Sequence, residues 1–370
     1  MNASFEAIFL HNIPLMDVRA PSEFSHGAFP NAYNLPLLND EQRHEIGLCY
    51  KNQGQEKAIE LGYRIFTPEK QQNRIEKWQA FIEQHPEGYL YCFRGGLRSK
   101  LTQRWLANAD IEYPMVEGGY KSMRTYLIDI LESSSTHLPF IILGGKTGSG
   151  KTKVLKKLHH HIDLEGLALH RGSSFGGLLQ PQPSNINFEN SLAIEMLRHK
   201  VNQSNPVFLE DEGKLIGRVC IPLTLRNRML TLPVVELVET LDHRIAVAEE
   251  DYITDLLSKY QHSYGEDNGF KKFADHHHTA LNSIKKRFGE NPLKKTRNHF
   301  DDALLQYSKD GKAEHFHDYI HSLLVNYYDP MYNYQFNRKN RKILFKGDTE
   351  AVLSWARSPF VLNLPDLPIP

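Results

Sequence analysis

Cys92 heads the run Cys92-Phe93-Arg94-Gly95-Gly96-Leu97-Arg98-Ser99, which follows the apolar stretch Gly88-Tyr89-Leu90-Tyr91 and opens a helical pattern. A thiol in that position has recognisable chemistry. Successive N–H groups of a glycine loop form an anion nest, and a helix that starts there adds its positive end. The same field, reinforced by Arg94 and Arg98, favours the thiolate and makes Cys92 a nucleophile. The candidate anion loop is therefore Arg94, Gly95, Gly96, Arg98 and Ser99, with Cys92 as the reactive atom. Cys49 has no glycine cradle and is a weaker candidate for a resolving thiol, and Cys220 reads as packing.

A second phosphate-type site lies downstream. Gly145-Lys146-Thr147-Gly148-Ser149-Gly150-Lys151-Thr152 matches G-x-x-x-x-G-K-[ST] in full, with the strand pattern Phe140–Leu143 before it and a helical pattern after it. Gly145, Gly148, Ser149 and Gly150 bring backbone N–H groups to phosphate oxygens. Lys151 supplies a point charge, and Thr152 is of the type that holds Mg²⁺. ATP is the usual guest of such a loop, but any diphosphate fits it. In Leu209-Glu210-Asp211-Glu212, Asp211 is the expected metal-side acid at the end of a strand.

Basic and aromatic residues concentrate towards the C-terminus. Lys285-Lys286-Arg287 with Lys294, Lys295 and Arg297 forms one cluster, Arg338 to Lys346 another, and Arg218, Arg226 and Arg228 a looser third. Tyr327 to Tyr334 precedes the second cluster, and aromatic rings beside cations stack on bases. Lys339, Arg341, Lys342 and Tyr332 are the RNA-binding candidates. The triplets His159–His161 and His276–His278 do not read as metal sites, because consecutive helical residues point in different directions. Both are expected at the surface.

These side chains need two scaffolds. Short apolar runs alternating with helical patterns predict an α/β fold with parallel sheets. The polar break 132–137 suggests a domain of residues 1–135 followed by one of 136–370, the latter mostly helical beyond about 241. The 370 residues are 40% hydrophobic and 11% aromatic, enough for real cores and incompatible with wholesale disorder. No run is long and apolar enough to span a membrane, and the first residues lack the basic and apolar regions of a secretion signal. Three cysteines do not make a disulfide framework, so a cytoplasmic setting is expected. Lys and Arg balance Asp and Glu at 44 each, so any nucleic-acid contact must come from local patches.

With Asp17-Val18-Arg19 and Glu117-Gly118-Gly119-Tyr120, the first domain resembles a rhodanese domain. It departs from an ordinary sulfurtransferase in having five rather than four residues between the cysteine and the arginine, as in rhodanese-related dual-specificity phosphatases. The wider loop has room for a phosphate-sized group or a larger chalcogen. The motifs CFRGGLRS, VEGGYKSMR, GGKTGSGKT, DLEGLALHRGSSFG, LEDE and YYDPMY, in that order, resemble the bacterial tRNA 2-selenouridine synthase family over essentially the whole chain.

The resemblance implies an N-terminal rhodanese-like domain fused to a P-loop NTPase-like domain. It also implies modification of the wobble 2-thiouridine in tRNAs for lysine, glutamate and glutamine. The sulfur is first S-geranylated from geranyl diphosphate, then replaced by selenium from selenophosphate, and an enzyme that makes selenophosphate is an implied partner. Cys92 takes the position of the family's selenium-carrying cysteine, and Gly62 that of a glycine the family needs. Rival readings are a cysteine-dependent phosphatase, a nucleotide-sensing RNA-binding switch and an ATP-driven sulfurtransferase.

Overall fold

The structure, a computed structural model, describes residues 4–200 and 205–358. It is a mixed α/β protein with parallel sheets, and it divides into two units. One comprises residues 1–131 and 184–198, the other 132–183 and 199–370. The first is thus discontinuous, whereas the sequence offered two contiguous segments.

In the first unit, β1 (Leu15–Asp17), β2 (Ala32–Asn34) and β3 (Tyr89–Tyr91) pair in parallel in the order β2-β1-β3. Met115 adds a single parallel bridge to Leu90. β1 and β3 are buried along their whole length, as parallel strands covered on both faces must be. Met16, Val18, Trp78, Leu90, Cys92, Trp105 and Leu106 make one apolar cluster around them. Helix Asp40–Ile65 is capped by Asn39 and broken at Gly54, so it runs as two arms. The segment 184–198 completes this unit: Asn190 Nδ2 donates to the Ala28 carbonyl (2.8 Å), and Arg124 pairs with Glu189 and Asn190.

In the second unit, β4 (Phe140–Gly145), β5 (His161–Ile162), β6 (Val207–Glu210), β9 (Val234–Leu237) and β10 (Ile343–Gly347) form a parallel sheet in the order β10-β9-β4-β6-β5. β7 (Leu215–Ile216) and β8 (Val219–Cys220) form a separate antiparallel hairpin. The central strand β4 is buried at all six positions. The polar stretch 132–137 is no linker: it is the last part of helix Gly119–His137, with Ser134 and Ser135 buried. From Leu241 to Lys339 the chain is helical around Phe273, Leu281, Phe300, Phe316 and Tyr319. The return of the chain as β10, an edge strand, was not expected from the charge-rich sequence around it.

Candidate functional site

The Cys92 loop is built as a turn from β3 into helix Leu97–Ala107, with Gly96 as the N-cap residue. Cys92 is buried at 3% exposure, while Phe93 and Arg94 are exposed. The backbone is held from the other side by Glu117-Gly118-Gly119-Tyr120. Tyr120 N–H donates to the Cys92 carbonyl and Lys121 N–H to the Phe93 carbonyl, both at 2.9 Å. Gly119 makes this approach possible. It sits at φ +58°, and a Cβ there would lie 2.3 Å from the Cys92 carbonyl oxygen. Tyr120 is in turn fixed by Arg19, whose guanidinium lies 3.9 Å from the ring centroid. Arg19 makes a fully buried ion pair with Asp17, with Nη2 2.6 Å from Oδ2. The Asp17-Val18-Arg19 motif is therefore a brace behind the loop.

Arg98 is committed to a carboxylate rather than left open over the loop. Its two nitrogens donate to Glu23 at 2.5 and 3.1 Å, and Arg43 lies 3.0 Å from the same carboxylate. Burial alone would raise Glu23, but the Arg98 hydrogen bonds and charge hold it below the usual carboxylate range. Arg94 remains the exposed loop cation. Ser99 is fully buried and its hydroxyl has no partner among the described residues, which leaves a donor beside the loop. Gly62 lies in the wall of a cavity of about 850 Å³ next to the helix that the Cys92 loop opens. Cys49 is half-buried on the kinked helix, and Cys49, Cys92 and Cys220 are not joined in disulfides.

In the second unit the phosphate loop joins β4 to helix Lys151–Leu155 through Gly148 and Gly150, at φ +81° and +78°. A Cβ at Gly148 would sit 2.6 Å from the Arg244 carbonyl oxygen, so the loop packs tightly against helix Leu241–Glu249. Lys151 Nζ donates to the carbonyls of Gly145 (2.9 Å) and Lys146 (3.3 Å). Ser149 is buried, and its hydroxyl has no partner among the described residues. Thr152 donates its hydroxyl to Glu165 at 3.1 Å.

A cavity of about 850 Å³ opens over this loop. Arg171, Arg287, Tyr328 and Tyr332 are in its walls. Tyr332 is thus not an outward stacking platform for RNA. It lies over the phosphate loop, with its hydroxyl buried and its ring stacked on Phe336.

Two further expectations are corrected together. Asp211 is in the wall of the cavity over the phosphate loop, but its carboxylate is already engaged by two cations. Its carboxylate accepts from Arg341 at 2.6 and 3.0 Å and from Lys339 at 2.6 Å. Burial would raise Asp211, yet Arg341 and Lys339 hold it below the usual range. Arg341 is 1% exposed and Lys339 19%, so neither is free for RNA, whereas Lys342 is exposed.

Glu165 accepts from Thr152 of the phosphate loop and shares the cavity wall with Glu212, while Glu210 is buried and accepts from the Leu164 and Glu165 N–H groups. Burial, then Glu165 and Asp163, push Glu210 up to about 8. Burial, then Glu165 and Glu210, raise Glu212 well above the usual range, with Lys151 opposing.

Sequence reasoning also missed a clamp. Asp329 accepts from Arg244 at 2.6 and 3.0 Å and from Lys146 at 3.0 Å, while Arg244 Nε donates to the Thr147 carbonyl. Burial would raise Asp329, but these cations hold it below its ordinary range. Asp329 stands in YYDPMY, and Glu165 and Arg171 in DLEGLALHRGSSFG, so the signal was present as motif without a role.

The second histidine triplet is not wholly at the surface. His277 is 1% exposed, hydrogen-bonded at its two ring nitrogens to Tyr319 Oη (2.9 Å) and the Tyr252 carbonyl (3.1 Å). His276 and His278 turn elsewhere, to Tyr260 and Asp301. No helix among the described residues is long and apolar enough to cross a membrane.

The family model described as the tRNA 2-selenouridine synthase AAA domain matches residues 138–361. A tRNA 2-selenouridine synthase of Marinobacter nauticus is 50% identical over 351 residues, covering 95% of this chain and 96% of its own. Those of Shewanella denitrificans and Pseudomonas fluorescens are 46% and 44% identical, covering 96% and 95% of this chain and 96% of each relative.

Proposed function

The chain belongs to the tRNA 2-selenouridine synthase family and is an enzyme, and on that premise we propose that it converts wobble 2-thiouridine of tRNA to 2-selenouridine in two steps. In the first, the sulfur attacks geranyl diphosphate, a carbon–sulfur bond forms, and diphosphate leaves. In the second, the selenium of selenophosphate displaces the alkylated sulfur, which departs as geranylthiolate, and the phosphoryl group left on selenium passes through Cys92 to water and is released as phosphate. Alkylation is what makes the sulfur able to leave. The substrates in this reading are the tRNAs for lysine, glutamate and glutamine, and a selenophosphate-producing enzyme supplies the donor in the cytoplasm.

The first unit, read as rhodanese-like, performs the selenium step. Cys92 is its nucleophile, at the head of a glycine loop and a helix N-terminus that favour anions. The second unit performs the alkylation. Lys151 and the N–H groups of Gly148, Ser149 and Gly150 hold the diphosphate and stabilise charge as it leaves. Lys151 must exchange its bonds to the Gly145 and Lys146 carbonyls for the incoming oxygens. ATP hydrolysis is not required.

The donor set beside the loop suits Mg²⁺, which is bound through one or two carboxylates plus substrate phosphates. The Thr152 hydroxyl and the Glu165 carboxylate would hold it, and its charge would offset that of the diphosphate.

Among exposed C-terminal groups, Lys342 and the pair Tyr334 and Arg338 remain available for RNA, with the guanidinium 5.5 Å from the ring centroid. The observation that carries the reading is the presence in one chain of a braced cysteine loop and a complete phosphate loop. The test is nucleoside mass spectrometry of tRNA from cells with and without the gene. Unchanged 2-selenouridine after deletion would overturn it.

A further inference from the structure

The first unit holds a cavity of about 850 Å³ that neither loop accounts for. It lies between the two arms of the helix broken at Gly54 and the helix Leu97–Ala107. Its volume is within the range that takes small-molecule ligands. The walls are apolar, and several wall residues stand exposed: Leu48 at 48%, Tyr50 at 58%, Ile59 at 37%, Tyr63 at 58% and Leu97 at 58%. Contiguous exposed apolar side chains of this size mark a binding surface.

Two more observations narrow the occupant. Leu37, Leu38, Ile46, Phe66 and Leu101 belong both to the cavity wall and to the apolar cluster that buries Cys92, and Leu97 and Arg98 of the wall stand in the helix that the Cys92 loop opens, so the cavity adjoins that loop. Lys100 and Arg104 stand among the apolar walls, beside Arg43 and Arg98, which are paired to Glu23. Apolar walls ringed by cations suit an apolar chain attached to a polyanion. Gly62 belongs to the wall, and a Cβ there would meet only Ile46 at 3.9 Å, so the glycine keeps cavity space open.

We infer that this cavity receives the prenyl chain of the S-prenylated uridine, the apolar walls holding the chain and the cations holding flanking RNA phosphates, with the base brought to the Cys92 loop. The inference rests on the two-step reading above and gives the alkyl group a second use. It is the leaving group's handle as well as its activator, recognised in the unit that removes it.

The test uses the full chain and three probes. These are an anticodon stem-loop carrying S-geranyl-2-thiouridine, the same stem-loop carrying 2-thiouridine, and geranyl diphosphate alone. By fluorescence anisotropy the wild type should prefer the geranylated stem-loop by about tenfold or more, as expected from burying part of an alkyl chain. Leu48→Glu with Ile59→Glu, both at exposed positions, should cut the preference below about threefold and leave 2-thiouridine stem-loop affinity within about twofold. Tyr50→Ser, which adds no charge, should act in the same direction and covers the case in which the acidic variant fails to fold.

A folded variant that keeps the full preference overturns the inference. So does a variant that weakens geranyl diphosphate as much as the geranylated stem-loop, since that places the diphosphate's own chain in the cavity. Failure of the underlying reading shows separately, as the absence of S-geranyl and 2-seleno nucleosides in wild-type reactions whatever the affinities.

Discussion

Arg341 closes a two-point ion pair on Asp211, Nη1 to Oδ1 at 3.0 Å and Nη2 to Oδ2 at 2.6 Å, with side chains only 1% and 7% exposed. The pair joins the end of β6 to the segment leading into β10. Removing one partner strands a buried charge. Arg341→Ala should therefore cost about 3–5 kcal/mol of stability, read as a lower urea midpoint. A variant as stable as the wild type would show that Asp211 finds another partner.

Lys342 is exposed beside it and should behave differently. Lys342→Ala should leave stability within about 0.5 kcal/mol. It should weaken tRNA binding and lower the slope of log affinity against log salt by about one. An unchanged slope would remove Lys342 from the RNA surface.

Cys92→Ala should abolish selenium incorporation while S-geranyl-2-thiouridine accumulates, because the loop backbone is held by Tyr120 and Lys121 rather than by the thiol. Chromatography of digested tRNA decides it. Normal 2-selenouridine in the variant would remove Cys92 from the chemistry.

Lys151→Ala should slow geranylation by about 10²–10³, the usual loss for one donor to developing charge. Tested against pre-geranylated tRNA and selenophosphate, the same variant should still form 2-selenouridine. A wild-type geranylation rate would place the diphosphate elsewhere.

His277 links the helical part of the second unit to pH. Burial, then His276, pull its pKa down to about 3, whereas an unfolded histidine titrates near 6.5. The folded protein thus refuses a proton that the unfolded chain accepts. Stability present above pH 6.5 is lost as pH falls towards 3, at up to about 1.4 kcal/mol per pH unit. His277→Gln should flatten this dependence in urea titrations between pH 7 and pH 4.5, and equal slopes would contradict it.

Both glycine loops were legible because each motif is contiguous and demands a strand before it and a helix after it. The brace Asp17–Arg19 was visible as a motif, but its use was not, since it acts through Tyr120 a hundred residues away. The Asp211–Arg341 pair was hidden by the same kind of distance, and an isolated basic run reads as a solvated face. His277 was legible in principle: Phe273, His277, Ala280, Leu281, Ile284 and Phe288 form one apolar helical stripe, and the histidine lies on it. The polarity of the triplet masks that period. The split of the first unit had no sequence signal, because helix Asn185–Lys200 looks the same whichever core it serves.

That split governs the order in which the protein can be made. Residues 1–131 leave the ribosome before the segment that pairs with Ala28 and Arg124 exists. Residues 132–183 must be synthesised first, which at about 5–20 residues per second takes roughly 3–10 s. During that interval the nascent first unit lacks its closing helix, and a recombinant fragment cut at residue 135 would lack it permanently.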